Sequence, residues 1–231
     1  MIVADRFVLL HLHKSGGSFA NELLLQHLPD AREVGYHLPR RLIPVAARQL
    51  PVLGLVRNPW SYYVSWFAFQ QQRPQPNLLY RVLSDEGRLG FAATIENMLE
   101  LGARDELLDA LVAGLPQAYG NRGLNLPGPA LSAIRGSELG FYSFLYRYMY
   151  DGEGAPLHIG QMESLRTDLQ GLLQATGQVL SPQLRDALNN APSRNVSRHG
   201  AVKEYFDNAL RDRVAVRDAA LIEQYRYRFD G

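Results

Sequence analysis

Residues 7–25 read FVLLHLHKSGGSFANELLL, and the architecture of the chain can be worked out from this stretch. A short apolar run predicts a strand, a turn with two glycines follows, and an apolar helical pattern begins at Phe19. Such a turn directs backbone N–H groups and the positive end of the helix dipole at one place. Gly16 and Gly17 permit close approach of a ligand, and Lys14 supplies a cation. The stretch therefore predicts a phosphate-binding loop.

The order of residues in this loop differs from the nucleotide-kinase pattern, in which the lysine follows the glycines. Here Lys14 precedes both glycines. A lysine-first loop of this form resembles the 5′-phosphosulfate loop of sulfotransferases, which use 3′-phosphoadenosine-5′-phosphosulfate (PAPS). The resemblance assigns binding of the donor nucleotide to His13, Lys14, Ser15, Gly16, Gly17, Ser18 and Phe19.

A second motif lies in residues 52–67, VLGLVRNPWSYYVSWF. An apolar strand ends at Arg57, Pro59 suits the first turn of a helix, and Ser65 lies on that helix. Arg57 and Ser65 can converge on one phosphate, and this resembles the 3′-phosphate motif of the same family. The two motifs follow each other in the family's order, which makes their joint occurrence more specific than either alone. The aromatic residues Trp66 and Phe67 are expected in the core.

The chain thus resembles PAPS-dependent sulfotransferases, and among them a bacterial soluble member of the carbohydrate or heparan type. Strands that alternate with helices predict an α/β fold with a mostly parallel central sheet and helices on both faces. The resemblance implies a P-loop-like three-layer fold and a single sulfotransferase domain over residues 1–231. Residues 114–137 are rich in glycine and proline, which predicts a long functional or mobile loop. We expect a lid or acceptor-pocket insertion over 114–150.

Hydrophobic periodicity and turn residues predict the remaining elements. Strands are expected at 6–12, 31–35, 52–56 and 157–162, and helices at 18–28, 41–49, 59–69, 141–150, 165–176, 201–209 and 212–224, with helical periodicity over 91–113.

Three groups of residues are candidates for the chemistry. Lys14 would stabilise the leaving phosphate oxygen, as the matching lysine does in the family. His37 follows the second predicted strand at the same sheet edge and is the first candidate for the general base that deprotonates an acceptor hydroxyl, with Glu33 as the alternative. A late polar loop offers Arg194 and Arg198 for the 3′-phosphate, by position only.

Composition sets limits on the function. The formal net charge of +1 gives no reason to expect a nucleic-acid or polybasic membrane partner. The absence of cysteine excludes disulfides, thiolate catalysis and Cys-ligated zinc. No apolar run is long enough for a membrane span and no signal peptide is recognised, so a cytoplasmic protein is expected. No metal is expected, and the acceptor would be a carbohydrate or small molecule.

Two alternatives stay open at this point. One is a nucleotide-dependent kinase-like P-loop enzyme, and the other is a non-catalytic nucleotide-binding module.

Overall fold

The structure is a computed structural model, and it describes residues 1–120, 123–192 and 198–229. Backbone contacts divide the chain into two compact units. The first comprises the described residues of Met1–Arg57, Gly120–Asn125 and Tyr146–Val196; the second comprises those of Asn58–Tyr119, Leu126–Leu145 and Ser197–Gly231. The single sulfotransferase domain expected over 1–231 stays a prediction.

The first unit contains a five-stranded mixed sheet. Its strands are β1 (Ile2–Val3), β2 (Val8–Leu9), β3 (Arg32–Glu33), β4 (Val52–Val56) and β5 (Leu157–Gln161), in the order β3-β1-β2-β4-β5. The middle of the sheet is parallel, because β4 pairs parallel with both β2 and β5. β1 pairs antiparallel with β2 and β3.

The α/β class and the parallel centre of the sheet are therefore confirmed, and the antiparallel edge is a difference. β1 was not predicted, and the predicted strand over 6–12 pairs in the ladder only at Val8 and Leu9. The physical reason is the short connection between Val3 and Val8. Two strands joined so closely can pair only as an antiparallel hairpin.

The described residues form these α-helices in chain order: α1 (Gly17–His27), α2 (Pro59–Gln71), α3 (Leu78–Leu83), α4 (Phe91–Leu99), α5 (Asp105–Gly114), α6 (Gly128–Leu131), α7 (Phe141–Tyr150), α8 (Leu165–Ala175), α9 (Pro182–Asn190), α10 (Asn208–Arg217) and α11 (Ala219–Tyr225). Short 3-10 turns lie at Arg40–Leu42, Val45–Ala47, Leu101–Ala103, Ser132–Ile134, Met162–Ser164 and Val202–Tyr205.

The bounds of α1, α2, α7 and α8 were predicted to within about two residues. Other helices were predicted less well. The helix expected over 41–49 is two 3-10 turns, and α3 and α9 were missed. The helices expected over 201–209 and 212–224 are wrong in their boundaries. The side chain of Asp207 accepts a hydrogen bond from the Leu210 N–H at 2.8 Å, so α10 begins there and runs through the predicted break.

Alternating residues of β4 face opposite sides of the sheet. Leu53 and Leu55 pack with α1, α8 and α9 in one apolar core. On the opposite side, a Cβ at Gly54 would lie 2.4 Å from the Tyr150 ring at the end of α7. The Tyr150 hydroxyl bonds both the N–H and the carbonyl of Leu55, at 3.0 and 2.9 Å. Within the first unit, both faces of β4 are therefore covered.

The second unit is built around a buried carboxylate. Asp218 is fully buried and accepts hydrogen bonds from the Tyr63 hydroxyl and from the N–H and hydroxyl of Ser143. Burial raises the pKa of Asp218 above its usual value. Because Ser143 lies in the first turn of α7, Asp218 satisfies a backbone N–H that has no partner within the helix.

Within residues 114–137, the part from Leu126 onward is not the irregular loop that the sequence predicts. It contains α6, and the side chains of Leu126, Leu131 and Ile134 are buried. A Cβ at Gly128 would lie 2.4 Å from the Val112 carbonyl oxygen, so this glycine permits close backbone packing. Buried apolar side chains therefore pack residues 126–134 against their neighbours, although the glycine and proline content of this segment predicted a loop.

No helix within the described ranges is long and apolar enough to cross a lipid bilayer.

Candidate functional site

The predicted phosphate loop lies between β2 and α1 in the first unit. Residues 13–16 form a turn, and α1 begins at Gly17. Gly16 has φ of +81° and Lys14 has φ of +58°, so both adopt the left-handed conformation that glycine tolerates best. A Cβ at Gly17 would lie 1.8 Å from Cδ2 of His11, which leaves room for glycine alone. The first N–H groups of α1 have no partner within the helix, so their donors are directed toward this turn.

Two cations meet at this edge of the sheet. Lys14 follows β2 and Arg57 follows β4, and these two strands are parallel neighbours. Nη1 of Arg57 donates a hydrogen bond to the Lys14 carbonyl at 3.3 Å. Burial, together with the charge of Arg57, lowers the pKa of Lys14 from 10.5 to about 8. An anion bound between the two side chains would relieve this repulsion.

Ser15, Ser18 and Phe19 have different surroundings in the structure. The Ser15 hydroxyl is buried and donates to the His13 carbonyl at 3.2 Å, so it supports the turn. The Ser18 hydroxyl is half-buried and lies 3.3 Å from the Tyr36 hydroxyl. The Phe19 ring is in the apolar core, although its N–H bonds the Gly16 carbonyl at the start of α1.

Three histidine rings form a buried cluster beside this loop, which we call the histidine cluster: His11, His13 and His37. The rings of His13 and His37 are stacked, with centroids 3.7 Å apart and planes 16° apart. The His11 ring lies 4.3 Å from that of His37, and the Tyr36 ring contacts both. His37, predicted from its place after the second strand, thus lies directly against the loop that carries Lys14.

Main-chain carbonyls set the proton positions of two of these rings. Nδ1 of His37 donates to the His11 carbonyl at 2.6 Å, which leaves Nε2 as its basic nitrogen. Nε2 of His13 donates to the Leu124 carbonyl at 2.6 Å, and its Nδ1 is buried without a hydrogen-bond partner. Burial lowers the pKa of His37 well below its usual value and that of His13 to about 4. Both rings are therefore neutral at pH 7.

Leu124 and Asn125 form hydrogen bonds with three other parts of the first unit, at His13, Tyr36 and Tyr148. The Asn125 side-chain amide donates to the Tyr36 carbonyl at 2.6 Å, and its side-chain oxygen accepts from the Gly120 N–H at 2.9 Å. The Asn125 carbonyl accepts from the Tyr148 hydroxyl at 3.1 Å. His37 and Asn125 have φ of +53° and +48°. Strained backbone held by surrounding contacts is typical of functional sites.

The remaining residues predicted for the site lie elsewhere or outside the description. Ser65 is buried in α2, in the second unit. Arg198 is exposed in the second unit, where its carbonyl accepts from Gln72 at 2.6 Å. Arg194 lies outside the described residues. Glu33, the alternative base, is exposed on β3.

Sequence reasoning did not identify the histidine cluster as such, nor Tyr36 and Asn125. His11 and His13 alternate along an extended segment and so share one face, which is a signal that could have paired them. Nothing in the sequence links Asn125 to Tyr36, because the hydrogen bond spans a separation of 89 residues.

Comparisons with known proteins do not identify this site. No protein-family model and no curated protein matches the chain. Among the residues that the structure describes, no group of three or more histidine or carboxylate side chains is placed to hold a metal ion.

Proposed function

We propose that the protein is a PAPS-dependent sulfotransferase with a single domain of P-loop-like three-layer fold. The observation that carries the proposal is the meeting of Lys14 and Arg57 at the ends of two parallel neighbouring strands, with the Arg57 guanidinium bonded to the Lys14 carbonyl. Ligands of open α/β sheets bind at the carboxyl ends of strands, and the N-terminus of α1 adds backbone donors there.

The donor set suits a nucleotide that carries phosphate groups. A planar guanidinium and a mobile ammonium both bind phosphate oxygens, and helix N–H groups add donors without a net charge. Lys14 and Ser18 are half-buried rather than enclosed, which leaves them accessible to a ligand. We therefore assign the 5′ side of the donor to residues 13–18, and Arg57 to the 3′-phosphate as the sequence motif suggests.

PAPS would supply the sulfuryl group when bound. In this assignment, Lys14 places a positive charge at Nζ where negative charge develops in the transition state. Nε2 of His37 accepts the proton of an acceptor hydroxyl, because Nδ1 already donates to the His11 carbonyl. The acceptor is a hydroxyl of a carbohydrate or small molecule.

Calorimetric titration with adenosine 3′,5′-bisphosphate tests the nucleotide assignment. We expect micromolar binding, about −8 kcal/mol, with AMP much weaker. Arg57→Ala should weaken bisphosphate binding at least tenfold and so reduce the preference over AMP. Arg81→Ala, which removes an exposed arginine paired with Glu86 in the second unit, is the matched control and should bind normally. Binding of ATP with Mg²⁺ and not of the bisphosphate would favour the kinase-like alternative instead.

A turnover assay then separates an enzyme from a nucleotide-binding module. With PAPS and a panel of hydroxyl acceptors, the wild type should release adenosine 3′,5′-bisphosphate in an acceptor-dependent way. His37→Ala should lose turnover by at least tenfold and keep its affinity for the bisphosphate. Normal binding without turnover in the wild type would support the non-catalytic module.

A further inference from the structure

The Leu124–Asn125 segment contacts two elements of the site at once. The Leu124 carbonyl accepts from Nε2 of His13, and Asn125 donates to the carbonyl of Tyr36, the residue before His37. His13 in turn stacks on His37. One dipeptide thus holds both the ring that lies against His37 and the backbone that leads into it.

Two properties of asparagine suit position 125: it tolerates a positive φ, and its side-chain amide can both donate and accept a hydrogen bond. It is buried and has φ of +48°, in the left-handed region that asparagine tolerates better than most residues. Its amide nitrogen donates to Tyr36, while its oxygen accepts from Gly120. An aspartate would keep the shape but place an acceptor against the Tyr36 carbonyl, so the hydrogen bond to Tyr36 requires the amide.

The dipeptide has a further anchor outside the loop that carries Lys14. The Tyr148 hydroxyl donates to the Asn125 carbonyl, and Tyr148 belongs to the last turns of α7 in the first unit. His37 itself has φ of +53°, a conformation that needs support from its neighbours. The Tyr36 carbonyl, held by Asn125, is the main-chain group directly before this strained residue.

We propose that Asn125 is a positioning residue for His37. It fixes the backbone at Tyr36 and, through Leu124, the His13 ring on which His37 stacks, so that Nδ1 of His37 stays on the His11 carbonyl and Nε2 carries the lone pair. The catalytic consequence rests on the proposed function, whereas the positioning itself is a property of the fold.

The test combines kinetics with a direct measurement on the imidazole. Asn125→Gly removes the side chain and tolerates the positive φ. We expect kcat with PAPS to fall about tenfold or more, while the Kd for adenosine 3′,5′-bisphosphate changes less than twofold. Nitrogen-15 NMR of the histidine rings should show the single Nδ1–H tautomer of His37 in the wild type and a mixture in Asn125→Gly. Asn97→Ala is the matched control, since it removes an amide bonded to the Leu83 carbonyl at 2.9 Å in the second unit.

The outcomes separate this inference from the proposed function. If Asn125→Gly does not fold, Asn125→Asp provides the same readouts with the side-chain shape preserved. A folded variant of either kind with the wild-type tautomer of His37 would overturn the positioning role, as would a Kd that rises in proportion to the loss of kcat/KM. If the wild type shows no turnover but the tautomer still changes in the variant, the proposed function fails and the positioning role stands.

Discussion

At the scale of single residues, burial lowers the pKa values of two side chains that the sequence predicts for the site, Lys14 and His37. The pKa of Lys14 is lowered to about 8 by burial and by the nearby charge of Arg57. The pKa of His37 is lowered well below its usual value by burial and by its histidine neighbours. At pH 7, Lys14 is therefore mainly charged and the His37 ring is neutral.

The lowered pKa of Lys14 predicts how bisphosphate binding depends on pH. Because Lys14 is charged below pH 8 and neutral above it, the positive charge that favours a phosphate is lost as the pH rises through 8. We expect the Kd to be constant from pH 7 to about 8 and then to rise, by up to tenfold per pH unit. Lys14→Arg keeps its charge throughout this range and should bind without this dependence. Equal pH profiles for the two proteins in calorimetry would contradict the assignment.

At the scale of elements, the start of α1 is set by packing more than by capping. Gly16 is the residue before α1 and makes no side-chain hydrogen bond to the helix. The first helical residue, Gly17, has no room for a side chain because the His11 ring occupies the space that a Cβ would need. The histidine cluster and the first turn of α1 therefore constrain each other, and the loop geometry depends on both.

Substitution of Gly17 tests this constraint. Gly17→Ala places a methyl group against His11 and should lower the free energy of unfolding by about 1–3 kcal/mol. Gly171→Ala is the control, because Gly171 lies in α8 with no heavy atom within 4 Å of the added Cβ. Removing a glycine from a helix should stabilise the protein there by about 0.5–1 kcal/mol. Urea denaturation measures both, and equal effects of the two substitutions would show that His11 does not restrict Gly17.

At the scale of the whole molecule, each of the two units contains buried titratable groups. Burial shifts the pKa values of these groups in opposite directions in the two units. In the first unit, burial lowers the pKa values of His11, His13 and His37, so the unfolded chain binds protons more readily than the folded one. In the second unit, burial raises the pKa of Asp218, so there the folded state binds a proton more readily. Lowering the pH should therefore destabilise the first unit through its histidines. Protonation of Asp218 should not destabilise the second unit.

Hydrogen exchange at decreasing pH measures this difference. Below about pH 6.5, each histidine of the cluster should cost the first unit about 1.4 kcal/mol per pH unit until its folded pKa is reached, which for His13 is about 4. After correction for intrinsic rates, amides of β2 and α1 should lose protection between pH 7 and 5 before those of α2 and α10. His13→Gln retains a donor for the Leu124 carbonyl and should reduce the effect, in comparison with His27→Gln outside the cluster. Simultaneous loss of protection in both units would contradict this prediction.

Local chemistry and periodicity alone determined much of this protein. The α/β class, β4, α7 and the turn before α1 follow from runs of apolar residues and from glycine and proline at their boundaries, because these preferences act between near neighbours in the chain. The lysine-first loop and the position of His37 beside it were also predicted, from the expectation that parallel strands place their carboxyl ends at one edge of a sheet. In the structure β1 lies between β3 and β2 and is antiparallel to both, so the carboxyl ends of β3 and β2 still share an edge. The antiparallel β1 and the anchoring of 126–134 were not predicted.

Only the tertiary structure decided which of these residues meet. The stack of His13 on His37 joins positions 24 residues apart in the chain, and the bond from Asn125 to Tyr36 spans 89. Burial of these rings lowers their pKa values, and burial is a property of the folded chain that no single segment carries. The sequence by itself determined which residue types occur in the turn before α1 and after the neighbouring strands. Packing decided which rings are neutral, which nitrogen of His37 carries the lone pair and which contacts hold the His37 ring.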